Sequence, residues 1–176
     1  MSHTSERLDR NNPGSNPLNS NTYKDRQGNA LSGATPEAVE LFDEAVEAFS
    51  LYRGDPVGLL DKAIEVAPTF AMAHILKAQL FALATEPEAT AYVRQTVPHI
   101  KALEMNDREL SHLSALEKLV AGEWTAAAIA LDYHNMSWPF DLPALQVGHL
   151  IDFYRANCVN LRDRIGRALP KWSQDM

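Results

Sequence analysis

From Thr35 onward, apolar residues recur at helical spacing, and proline, glycine and capping residues punctuate them. Thr35-Pro36-Glu37 sets a hydroxyl N-cap, a proline at the first helical position and an acid in the first turn. Val39, Leu41, Phe42, Ala45, Val46 and Phe49 then form one stripe. Arg53-Gly54-Asp55-Pro56 stops that helix as a turn and starts the next, with Leu59, Leu60, Ala63 and Ile64 as its inner face. A third helix is predicted over 71–84 and a fourth after Glu86-Pro87, with Pro98 expected to kink or split it. Asn106-Asp107 opens a fifth, which carries Leu110, Leu113, Leu116 and Leu119 and closes at Gly122. A sixth starts at Trp124 and runs to about Met136. A seventh follows Asp141-Leu142-Pro143, and a short eighth lies around 160–169. This makes about eight helices, with no convincing strand. Short links between them favour antiparallel neighbours.

The alanines and prolines fall into a repeat register. A tetratricopeptide-type unit spans about 34 residues and needs small residues where helices touch and a proline after its second helix. Aligning on Pro68 puts Ala63, Ala73 and Ala78 at small positions and Phe81 at an aromatic one. Aligning independently on Gly122 puts Ala115, Ala127 and Leu131 in place and lands Pro139 on the terminal proline, with Ala144 opening another unit. His74 and Ser111 stand where the large aromatic belongs, so the repeats are degenerate. The expected fold is therefore all-α: a superhelix of stacked, antiparallel helix pairs over residues 34–172. Residues 1–33, rich in Asn, Pro and Gly, read as a disordered or extended arm whose Tyr23, Ala30 and Leu31 could dock on the first helix. Residues 173–176 read as a tail.

Charge and composition exclude more than they assign. A net charge of -7 argues against nucleic-acid binding, which needs a clustered basic face. The sequence shows no apolar run long enough for a signal peptide or a membrane span. The single cysteine, Cys158, cannot form an intrachain disulfide and fits a reducing, cytoplasmic compartment. It reads as a small, semi-buried thiol.

The six histidines (His3, His74, His99, His112, His134 and His149) form no metal-binding signature, and no cofactor or catalytic constellation is expected. His74 and His149 read as packing residues, and His112 as pointing into an inner groove. Arg155, Arg162, Arg164, Arg167 and Lys171 read as a solvated basic face on the last helix, with an anionic partner as the alternative. Trp124, Trp138 and Trp172 read as packing between repeats. Leu161, Ile165, Ala168 and Leu169 have no following helix to cover them, so self-association through this end, or a marginal last helix, is expected.

Five strings resemble one family in the expected order. They are KDRQGNALSGATPEAVELFDEA (Lys24–Ala45), YRGDP (Tyr52–Pro56), PTFAMAHILKA (Pro68–Ala78), ELSHLSALEKLVAGEW (Glu109–Trp124) and NLRDRIGRALPKW (Asn160–Trp172). Together they resemble the N-terminal part of the tetratricopeptide repeat protein 38 family. Family members are normally longer, so the resemblance implies the first third of such a protein, as a fragment, a truncated product or a short relative. It implies a fold and no securely assigned reaction.

The function expected is a helical-repeat interaction module that binds a protein partner, or itself, through a concave groove including Ile75, Gln79, His112, Leu116 and Gln146. These positions lack the Lys/Arg/Asn clamp that grips chaperone C-terminal carboxylates, so such tails are not expected partners. The alternative is a structural portion of a longer protein whose ligand-binding or catalytic residues lie in further repeats.

Overall fold

The structure, a computed structural model, describes residues 22–172. The outer part of the expected arm, residues 1–21, and the tail, residues 173–176, lie outside the described residues, as does His3. Among the described residues the fold is all-α, with eight helices and one minimal strand pair. The helices are α1 (Pro36–Ser50), α2 (Pro56–Val66), α3 (Ala71–Leu83), α4 (Pro87–Lys101), α5 (Asp107–Val120), α6 (Trp124–Ser137), α7 (Leu142–Tyr154) and α8 (Cys158–Ala168). A 3-10 turn, Leu169–Lys171, follows.

Local chemistry sets the boundaries. Thr35, Asp55, Asn106 and Asp141 each cap a helix by accepting a backbone N–H, and Pro36, Pro56 and Pro143 sit in first turns. Arg53-Gly54-Asp55 is the turn between α1 and α2. Pro98 does not split α4, which continues through it to Lys101.

Consecutive helices pack on one another, and the small residues of the repeat register are where they meet. Ala63, Ala73, Ala127 and Ala144 have no exposed surface, and Ala78 and Ala115 almost none. The core runs through Phe42, Leu60, Phe70, Met72, Leu76, Leu116, Leu131 and Ile151. The Phe42 and Phe70 rings sit 5.2 Å apart.

Three contacts go beyond stacking of sequence neighbours. Besides its sequence neighbours, α3 packs on α5, and both α1 and α3 reach α7. Across the α1–α7 contact, Gln146 Nε2 donates to Tyr52 Oη at 2.9 Å. The first helices of the pairs would line a concave face, yet here they bury one another.

Over residues 22–33 the arm is ordered, with short extended segments that pair. Tyr23–Lys24 (β1) and Ala30–Leu31 (β2) pair antiparallel around a turn in which Asp25 accepts from the backbone N–H of Gln27 and Asn29. The hairpin docks on the first helix as expected, with β1 against α1 and Arg26 N–H donating to Asp43 Oδ1 at 3.1 Å, and it gains further bonds from more distant residues. Ser32 C=O accepts from Ala71 N–H at 3.2 Å. Gly33, at φ 70°, lies so close to Thr69 that a Cβ would fall 2.0 Å from its carbonyl oxygen.

Candidate functional site

The N-terminus of α5 gathers side-chain and backbone hydrogen bonds from several elements. Asn106 and Glu109 form a reciprocal capping box there. Arg108 and His112 follow one turn apart on the same inward face, and both are buried. Asp141, the N-cap of α7, meets them. Its Oδ1 accepts the Ala144 N–H at 3.0 Å, which leaves Oδ2 free to face the interior. Onto that one oxygen converge Arg108 Nη1 at 2.6 Å, His112 Nε2 at 2.9 Å and His134 Nε2, from the last turn of α6, at 3.0 Å. Asp141 and both imidazoles are fully enclosed.

Hydrogen bonding defines the tautomers. Each imidazole points Nε2 at the carboxylate, so Nε2 carries the proton. Nδ1 is then an acceptor, from Gln79 Nε2 at 3.3 Å in His112 and from Ser111 Oγ at 2.9 Å in His134. Burial pushes His112 down to about 4, against the pull of Asp141. Burial alone would raise Asp141, but His112, His134 and Arg108 outweigh it and hold the carboxyl well below its usual range. The result is an ionised aspartate, a charged arginine and a neutral His112.

The hairpin completes the shell. Arg108 Nη2 and Asn106 Nδ2 both donate to Ala30 C=O, each at 3.2 Å, and Ser32 N–H donates to Glu109 Oε1 at 2.9 Å. Asp25 is buried beside them. Its carboxyl is raised by burial, lowered by Asn29 and by the charge of Arg108, and raised again by that of Asp141.

A second buried ionic cluster joins α6, α7 and α8. Arg164 places Nη2 2.8 Å from Asp152 Oδ2 and Nη1 2.8 Å from Asp132 Oδ1, and Nη2 also donates to Ala128 C=O. Its guanidinium lies against Gly148, where a Cβ would sit 2.5 Å from Nη1. The expected solvated basic face holds at Arg162, Arg167 and Lys171, which are exposed, and fails at Arg164. Arg164 is buried, and Arg155, Arg162 and Arg167 are paired with Asp152, Asp163 and Asp132.

The five expected groove residues do not line an open surface. Ile75, Gln79, His112 and Leu116 have no exposed area, because α3 and α5 pack on each other there. Only Gln146 is partly exposed. Cys158 is exposed at the first turn of α8 rather than semi-buried. The half-buried His74 and His149 do not join the cluster. The tryptophans do pack: Trp124 on Tyr154, Trp138 on His134, and Trp172 on Phe140 with its Nε1 donating to Pro139 C=O. His134, Asp141 and Arg108 were not singled out from the sequence as partners of His112. The inward spacing of Arg108 and His112 on α5 was the one available signal.

His112, His134 and Asp141 bring two imidazole nitrogens and one carboxylate oxygen within 4.8 Å of one another, a set that can hold a metal ion. A cavity of about 260 Å³ between α6 and α8, lined by Asp132, Asn135, Met136, Arg164, Arg167 and Lys171 among others, does not include them.

A different surface is open. On α6, Ala127, Ala128 and Leu131 face the core, while Ile129, Tyr133 and Met136, at 47%, 67% and 76% exposure, form a stripe on the opposite side. Phe153, Tyr154, Val159 and Leu169 are also at least half exposed. No described helix is long and apolar enough to cross a membrane. No protein-family model matches this chain, and no solved structure does.

Proposed function

We propose that this chain is a helical-repeat interaction module whose contact surface is the outer stripe of α6 and not a concave groove. The carrying observation is that α6 is apolar on both sides, with Leu131 buried inward and Ile129, Tyr133 and Met136 exposed outward. A helix apolar all round belongs in an interior, so a protein surface is expected to cover it. Tyr133 suits an anchor role, since a tyrosine joins a large apolar body to a polar tip. The reducing, cytoplasmic setting proposed for the module fits the single exposed thiol of Cys158. Cell fractionation recovering the protein in a secreted or vesicular fraction would count against that setting.

A photo-crosslinking residue at position 133 tests the docking surface, with one at exposed Glu88 on α4 as control. Crosslinks to a protein from position 133 and not from position 88 are expected. Absence of any protein crosslink at 133, together with monomeric light scattering, overturns the reading.

The resemblance to the tetratricopeptide repeat protein 38 family supports a second form of the same reading, in which further helix pairs of the same fold supply the cover. The exposed Val159 and Leu169 on α8 and the turn after it favour it. Adding such a segment in trans should then protect amides of α6 and α8 from hydrogen exchange. Unchanged protection removes this second form alone.

A further inference from the structure

We propose that His112, His134 and Asp141 form a buried structural site for one divalent transition-metal ion that ties α5, α6 and α7 together.

The first argument is the crowding on one oxygen. A carboxylate oxygen has two lone pairs, yet Asp141 Oδ2 faces donors from Arg108, His112 and His134, while Oδ1 takes only a backbone N–H. A metal ion bound between the two Nε2 atoms and Oδ2 replaces two of those donors with one bond and leaves the Arg108 contact in place.

Charge balance is the second. Three buried carboxylates, Asp141, Asp25 and Glu109, surround the hairpin and the α5 N-terminus. Among the described residues, Arg108 is the only basic lysine or arginine side chain bonded to any of them. Three carboxylates against one arginine leave an excess of two acidic groups in a low-dielectric interior. One dication cancels them.

The outer shell suits the exchange. Metal at Nε2 moves each ring proton to Nδ1, with no net proton released. The hydroxyl of Ser111, 2.9 Å from His134 Nδ1, can accept as well as donate. The Gln79 amide, beside His112 Nδ1, can present its oxygen after a half-turn of the amide. Metal-ligating histidines are oriented through their second nitrogen in this way. Two nitrogens and one oxygen select zinc or cobalt(II) over the all-oxygen preference of calcium and magnesium.

Full-length protein, unfolded with chelator and refolded with one equivalent of zinc or cobalt(II), tests this, because burial closes the site to metal added afterwards. One retained equivalent after desalting is expected, with a raised Tm and imidazole ¹⁵N shifts of metal-bound Nε2 in both His112 and His134. His134→Gln should fold and lose retention at least tenfold. If that variant does not fold, the ring ¹⁵N shifts of the unsubstituted protein decide alone. Refolded protein that retains no metal, or one whose His112 and His134 Nε2 atoms stay protonated while metal sits elsewhere, overturns the proposal.

Discussion

Two buried arginines, Arg108 on α5 and Arg164 on α8, both tie their helix to α7, and their surroundings differ in kind. Arg164 meets carboxylates from two neighbouring helices, and the partly exposed Asp132 keeps that cluster in touch with water. Arg108 meets one carboxylate that it shares with two imidazoles in a fully enclosed space. The first arrangement is a clamp in which one guanidinium bridges two carboxylates and a backbone carbonyl. The second loads three donors on one atom and adds titratable nitrogens, so it responds to protons and to metal. The teaching is that ligand identity and crowding, not burial of an ion pair as such, separate a clamp from a site.

The comparison can be broken most forcefully at Asp141. Asp141→Ala removes the α7 cap and strands Arg108 without its counter-charge. A loss of about 4–6 kcal/mol in urea unfolding is expected, from the broken buried pair plus the cap. Arg164→Met should cost about 3 kcal/mol by the same measurement, because Asp152 Oδ2 loses its buried partner while Oδ1 keeps only the Arg155 contact. Adding Asp152→Leu should recover most of that loss, since an apolar pair of similar volume replaces the clamp. The same rescue, Arg108→Met with Asp141→Leu, should fail at the first cluster, where both imidazoles would lose their acceptor.

Acid separates the clusters next. His112 is depressed to about 4 in the folded metal-free protein, against an ordinary 6.5, so the unfolded chain takes up the proton first. Its contribution is full above about pH 6.5 and is lost as pH falls toward 4, with Asp141 extending the loss at lower pH. A drop of a few kcal/mol across that window is expected in chemical denaturation, and His112→Gln should flatten it. At the small end, Tyr133→Glu on the outer face of α6 should change stability by no more than about 0.5 kcal/mol, while abolishing partner capture.

Helix starts were legible because caps and prolines act within one turn. Thr35-Pro36, Asp55-Pro56 and Asn106 mark α1, α2 and α5 where the sequence placed them. The small residues were legible too, since a buried alanine at a helix contact follows from spacing. The hairpin was not, because two-residue strands gain their order from Arg108, Asn106 and Glu109, some 75 residues away. The groove reading failed for a related reason. Helical periodicity shows which face of α3 or α5 points inward, and it is silent on whether that face meets a partner or the chain's own α7. The convergence of His134 and Asp141 on His112 is not legible in the sequence because the three come from different elements.

The contact of α1 with α7 bears on how the chain acquires its structure. Tyr52 and Gln146 are 94 residues apart, so closing that contact encloses α2 through α6 in one loop. An open array can grow from any unit and can be shortened unit by unit. This one must bring its first and seventh helices together, which favours a single cooperative transition and slower folding than local contacts alone would give. Deleting the last helix pair would therefore weaken α1, at the far end of the sequence, as directly as it weakens α6.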